Sequence, residues 1–200
     1  MSRKIGPTVE ILMRRVRQEG GLAINPDFAT KIYTYCEQLT NIKLRKVISS
    51  TSLTTPKEKL LFNYRDEIPD AANIVSVLES NRELFLCKTL GDLSAFEPTW
   101  FRNITGTRFE AWHQIGHDIL ILYPGQAAAS SVTIRYVKLL TLQTDFEASY
   151  NTASELPSED IDVALNLAEL VLLARFRQVK TSPKRLKEII QLFQKRGILS

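Results

Sequence analysis

Residues 158–176 read SEDIDVALNLAELVLLARF, and this stretch decides the fold. Eleven of the fourteen residues from Val163 to Phe176 are apolar, the exceptions being Asn166, Glu169 and Arg175. A helix apolar on nearly every side must be buried from several directions, so this one reads as a central rod. Ser158 offers an N-cap, and Glu159, Asp160 and Asp162 place acids at the positive end of the helix dipole. A rod of this kind needs apolar partners, and the N-terminal fifty residues provide two candidates. Val9, Leu12, Met13 and Val16 share one helical face, ended by Gly20-Gly21. A second helix, with Asn25 as N-cap and Pro26 in its first turn, carries the stripe Phe28, Ile32, Tyr35, Leu39 and Ile42. Neither helix is stable alone, and both stripes are expected to pack on the rod.

Between these helices and the rod the pattern changes to short β-prone runs. Thr51 to Pro56 reads as a loop. Leu60–Tyr64, Ile74–Glu79, Leu84–Leu90, Phe109–Ile115, Ile119–Tyr123 and Val132–Leu140 read as strands, separated by Pro69, Gly91, Pro98, Gly106, Gly116, Pro124 and Gly125. Val132, Ile134 and Tyr136 alternate with Thr133 and Arg135, the mark of a half-buried antiparallel strand. The uniformly apolar Ile119–Leu122 run predicts a central strand, joined to the one before by a turn over Gln114 to His117. A last helix begins at Ser182-Pro183, presents Leu186, Ile189, Ile190 and Phe193 on one face, and ends at Gly197. The predicted class is α+β: a helical bundle of two N-terminal helices, a buried C-terminal rod and a short last helix, with an antiparallel β-rich insert. Residues 1–50 and 156–181 are assigned to the helical part, 51–155 to the insert, and 182–200 to a basic amphipathic helix.

Composition closes off several classes. The 200 residues contain 44% hydrophobic and 24% charged side chains, an ordinary globular balance. No run approaches the ~18 apolar residues of a membrane span, so no membrane role is expected. The start, Met1-Ser2-Arg3-Lys4, lacks the apolar core of a signal peptide and predicts a cytosolic chain. Two cysteines, Cys36 and Cys87, make neither a disulfide framework nor a four-cysteine zinc site. They read as small buried hydrophobes. His113 and His117 are four apart, but they lack the glutamate of H-E-x-x-H and fall in an expected hairpin, so they are not read as metal ligands. Phosphate-loop, dinucleotide and nucleophile-elbow motifs are absent. No catalytic residue, metal or cofactor is assigned, and the expectation is a non-enzyme.

Charge is the informative feature. Residues 1–50 hold nine basic and four acidic side chains, a balance of +5. Residues 51–170 balance to −8, and residues 171–200, with eight basic side chains against Glu188 alone, to +7. Basic ends around an acidic middle give a subunit two unlike patches, which suits heterologous contacts between copies. Arg14, Arg15 and Arg17 on one side, and Glu159, Asp160 and Asp162 on the other, are the expected inter-subunit residues. Lys184 and Arg185 oppose the dipole of the last helix and point to an acidic partner.

The order of elements is also familiar. After the helices come Thr54-Thr55-Pro56, an aromatic strand with Phe62 and Tyr64, the Ile68-Pro69 loop, and Ile74-Val75-Ser76-Val77. Pro98-Thr99-Trp100, the Ile119–Pro124 strand, Ile134-Arg135-Tyr136-Val137 and the Leu156-Pro157 turn into Asp162-Val163-Ala164-Leu165 complete it. Over roughly residues 8–178 this resembles the head-to-tail adaptor (connector) proteins of tailed bacteriophages, including tail-tube adaptors. The tract after residue 104 departs from the commoner glycine-proline-aromatic pattern. The resemblance implies a structural virion protein at the neck, present in host cytoplasm during assembly. It implies a ring of about twelve copies beneath the portal, a contact to a tail or nozzle protein, and a channel passing DNA without sequence-specific binding. It also implies that the C-terminal segment docks on the portal. Here that segment carries Lys184, Arg185, Leu186, Lys187, Ile189, Ile190, Phe193, Lys195 and Arg196. Two other readings remain open: a cytosolic nucleic-acid-binding or regulatory protein using the same basic residues, and a metal-dependent hydrolase requiring His113 and His117.

Overall fold

The computed structural model describes residues 3–102, 106–175 and 183–196, with the backbone alone at 183–186. In chain order the elements are α1 (Ile5–Gly20), α2 (Pro26–Leu44), β1 (Ile48–Thr55), β2 (Leu61–Asn63), β3 (Ala71–Glu79), β4 (Arg82–Glu83), β5 (Phe85–Leu86) and α3 (Leu90–Phe96). A 3-10 turn at Trp100–Arg102 follows, then β6 (Ala111–Ile115), β7 (Ile119–Tyr123), β8 (Ser130–Lys138), α4 (Phe146–Ser149), α5 (Ile161–Arg175) and α6 (Pro183–Lys195). The chain divides into two compact units, Met1–Val47 with Leu139–Ser200, and Ile48–Lys138.

The first unit is built on α5. Its Ile161, Ala164, Leu165, Ala168 and Leu172 are buried with Val9, Leu12 and Val16 of α1 and with Ala29, Tyr33 and Cys36 of α2. At 1.5–3 kcal/mol per large apolar side chain, this packing is the main source of the unit's stability before chain entropy is counted. Helix α1 stops where Gly21 takes φ 65°, the left-handed region, and returns its N–H to the Arg17 carbonyl at 2.9 Å. Asn25 caps α2 by accepting from the N–H groups of Asp27 and Phe28. Helix α5 begins at Ile161, later than a Ser158 cap implies, because Pro157–Asp160 forms a turn whose Asp160 N–H bonds Pro157 O. Phe176, Ser182 and Gly197, expected at helix boundaries, lie outside the described residues.

The second unit is a two-sheet structure. One sheet has the order β1-β8-β3-β4 and is antiparallel; the other has the order β2-β7-β6-β5, with β5 parallel to β6. Leu53, Val77, Ile134 and Tyr136 from the first sheet share one core with Phe62, Trp112, Leu120 and Leu122 from the second. On the second sheet's other face, Ile121 and Tyr123 are buried with Cys87 and with Leu93 of α3. Strand β7 is thus covered on both faces, which explains its unbroken apolar run.

These observations correct the expected architecture. The chain is α+β, with six helices and two four-stranded sheets among the described residues, rather than a helical bundle with a β-rich insert. The sheets are a large part of the protein and hold a core of their own. The stretch expected as a loop is strand β1, paired with β8 from Ile48↔Val137 to Thr55↔Ser130. A Ser/Thr-rich edge strand needs few apolar residues, and in β1 only Leu53 and Thr55 are buried, so the pattern hid it. The expected Leu84–Leu90 strand shrinks to Phe85–Leu86. Thr89 and Asp92 form a reciprocal capping box that starts α3 at Leu90.

Candidate assembly surfaces

The three arginines of α1 have different environments. Arg15 turns inward, its Nη1 lying 3.4 Å from Asn166 Oδ1 and 3.5 Å from Oε2 of the fully buried Glu169. Two of the three polar interruptions of the rod are therefore met by a cation from α1. Arg14 and Arg17 stay exposed and rim a hollow of about 370 Å3 with Met13, Leu22, Ala23 and Ile24.

The three acids assigned to inter-subunit contact are engaged within their own subunit. Asp162 pairs with Arg3 at 2.7 Å. Glu159 and Asp160 lie 3.7 and 3.6 Å from Lys46 Nζ. Asp160 is fully buried, with neither oxygen hydrogen-bonded, and Arg196 Nη1 is 3.5 Å away. Arg196 also donates to Glu159 O at 2.8 Å. No ion pair joins these acids to Arg14, Arg15 or Arg17 among the described residues.

Helix α6 lies on α5. Ile189 and Phe193 are buried against Val163, flanked by Leu167, Leu170 and Leu192. Lys187, Ile190 and Lys195 face outward. The side chains of Lys184, Arg185 and Leu186 lie outside the described residues.

Chemistry is spread rather than gathered. His113 sits on β6, buried, with Nδ1 2.7 Å from the Cys87 carbonyl oxygen. His117 is exposed in the following turn, where the four-residue spacing does not bring two rings together. Among the described residues no group of three or more His, Cys, Asp or Glu could hold a metal. Among them, too, no helix is long and apolar enough to cross a membrane. Both thiols are buried and unpaired. Burial, then the neighbouring Glu37, pushes the Cys36 thiol up to about 12. Burial and Asp92 also raise Cys87.

The unforeseen features are on α2. Its buried face is mixed: beside Ala29, Tyr33 and Cys36, the polar Thr30, Thr34, Glu37, Thr40 and Asn41 are turned inward. The apolar stripe read from the sequence reaches the core only at its edge: Phe28 and Ile32 pack against it half-buried, Ile42 is half-buried, and Tyr35 and Leu39 are 51% and 40% exposed. The inward polar groups are used by the returning chain at 139–156 and by the segment that follows α2. Thr34 Oγ1 donates to Gln143 O at 3.1 Å and accepts from Gln143 N–H at 3.2 Å. Glu37 Oε1 accepts from Tyr33 at 2.8 Å and from Ser154, and Asn41 Oδ1 accepts from the Val47 N–H. The polar residues at helical spacing were the available signal for this face. A second exposed apolar patch, in the β unit, gathers Phe85 and Leu86 of β5 with Phe96 of α3, the two phenyl rings stacked at 6.2 Å. Compared with known proteins, the chain matches no family model and no curated protein.

Proposed function

We propose that this protein is a structural, non-enzymatic head-to-tail adaptor of a tailed bacteriophage, forming a ring between portal and tail that continues the DNA channel. The observation that carries the reading is the outward apolar stripe of α2. A helix that spends its polar face on its own fold and leaves Tyr35 and Leu39 in water has a surface suited to a protein partner. The order of elements described above supplies the identity of the assembly. In this reading the portal is met by the outward row of α6, Lys187, Ile190 and Lys195, because Ile189 and Phe193 are already covered by Val163. The internal pairing of Arg15 leaves fewer cations for a nucleic-acid surface.

The test is the solution mass of the purified chain by light scattering, alone and with a portal. A ring-sized mass, or a monomer that joins the portal in fixed stoichiometry, is expected. A monomer that ignores portals and is retained by random DNA, with a salt slope worth several phosphate contacts, refutes the reading. Lys187→Glu with Ile190→Glu is expected to abolish portal binding without changing the helical circular dichroism.

A further inference from the structure

Helix α6 is 13 residues long, and among its described side chains only Ile189 and Phe193 are buried. A helix of that length is marginal in water without tertiary packing, so two buried side chains are a small anchor. Beside Phe193 the surface opens into an apolar hollow of about 150 Å3, walled by Leu39, Thr40 and Lys43 of α2 and by Val163 and Leu167 of α5. Thr40 is 2% exposed, and its Oγ1 has no hydrogen-bond partner. A buried hydroxyl without a partner is costly unless a group entering the hollow accepts from it. Water would need several polar partners to be held there, whereas an apolar side chain needs none.

The chain itself supplies such a group close by. Helix α6 closes with the Arg196 N–H on the Leu192 carbonyl at 3.0 Å, and Gly197-Ile198-Leu199-Ser200 follows. Arg196 is fixed beside α5: it donates to the Glu159 carbonyl at 2.8 Å and lies 3.5 Å from the Asp160 carboxylate, one turn before Val163. A glycine just beyond a helix cap commonly takes the left-handed conformation that turns the chain back. The apolar residue after it then packs on the third residue before the cap. With Arg196 as the cap, the glycine is Gly197 and the apolar residue is Ile198. The residue it meets is Phe193, which lines the hollow.

We infer that Ile198 folds back over Gly197 into the hollow beside Phe193, where Thr40 donates its hydroxyl hydrogen to a main-chain carbonyl of the same segment. The segment latches α6 onto α2 and α5, adding a third apolar anchor to Ile189 and Phe193. Tyr35 does not line the hollow, so its exposed side stays open to a partner. The latch is intramolecular and does not depend on the adaptor reading.

Two variants of the full chain test it. Ile198→Gly removes the anchor, and Thr40→Val replaces the hydroxyl by a methyl group. Ile198→Gly is expected to speed amide exchange across Ile189–Lys195 about tenfold or more, the worth of one buried apolar side chain, while the amides of α1 keep their rates. Thr40→Val is expected to lower the melting temperature of the otherwise unaltered chain. In the Ile198→Gly background it is expected to leave the melting temperature unchanged or raise it, because the hydroxyl there has no partner to lose. That reversal is what a purely local cost of changing Thr40 would not produce. If Ile198→Gly leaves the exchange of α6 at its wild-type rate, the hollow belongs to another occupant and the latch is overturned. Equal shifts from Thr40→Val in both backgrounds overturn it too.

Discussion

Replacing Glu37 by Gln tests how the polar face of α2 is held. Glu37 is 3% exposed, and burial raises its carboxyl above the ordinary value of 4.5. Hydrogen bonds from Ser154 and Tyr33 pull it back, and the nearby Glu155 adds to the rise. Between pH 4.5 and the raised value, the native carboxyl keeps a proton that the unfolded one has lost. The native state then binds more protons, so stability falls as pH rises through that window and is fully retained on its acid side. Each unit of upward displacement costs about 1.4 kcal/mol once the group is ionised in both states. Gln keeps an acceptor oxygen for Tyr33 and Ser154 but carries no charge. Glu37→Gln is therefore expected to stabilise the helical unit on the alkaline side of the window, and to leave its stability unchanged on the acid side. Urea titrations at a series of pH values, followed by helical circular dichroism, report the unit that holds α1, α2 and α5. The difference between variant and wild type isolates Glu37 from other titrating groups. Tyr33→Phe is the companion: it removes a donor that lowers the Glu37 value, so the window moves to higher pH. The lost hydrogen bond itself costs about 0.5–1.5 kcal/mol. An identical pH slope in Glu37→Gln and wild type would refute the reasoning.

Three further outcomes are expected. Gly6→Ala brings a methyl group within 2.4 Å of the Tyr150 ring and 2.7 Å of its carbonyl oxygen, and the backbone cannot yield as a side chain can. It costs about 1–3 kcal/mol, read as a lowered melting temperature. Cys36 does not react with a thiol reagent in the native state at neutral pH, since burial holds it as the thiol near 12, and labelling appears only with unfolding. Leu12→Ala, at a fully buried site, costs about 2–5 kcal/mol in denaturant titration, whereas Leu39→Ala costs less than about 1 kcal/mol. Equal losses would mean that the α2 stripe faces the core after all.

The sequence by itself determined what depends on neighbours along the chain. Gly20-Gly21 ended α1 and Asn25-Pro26 began α2, because caps satisfy backbone groups within a few residues. The apolar run of α5 required burial on several sides, and the run of β7 required cover on both faces, whatever supplied it. The Thr89-x-x-Asp92 capping box was equally local, though the apolar run before it concealed α3. Only the tertiary structure decided which side of α2 faces inward. The periodicity of Phe28, Ile32, Tyr35, Leu39 and Ile42 promised an apolar core face. The returning chain at 139–156, more than a hundred positions away, instead engaged Thr34 through the backbone of Gln143 and Glu37 through the hydroxyl of Ser154. Strand β1 likewise exists because β8 offers it a hydrogen-bonding edge, not because its serines and threonines favour one. The charged residues divided in the same way. The sequence set the sign of each region, but only packing set Arg15 against the buried Glu169 and Arg196 beside the buried Asp160, while leaving Lys31 and Lys43 exposed. An ion pair depends on distance in space, and distance along the chain does not determine it.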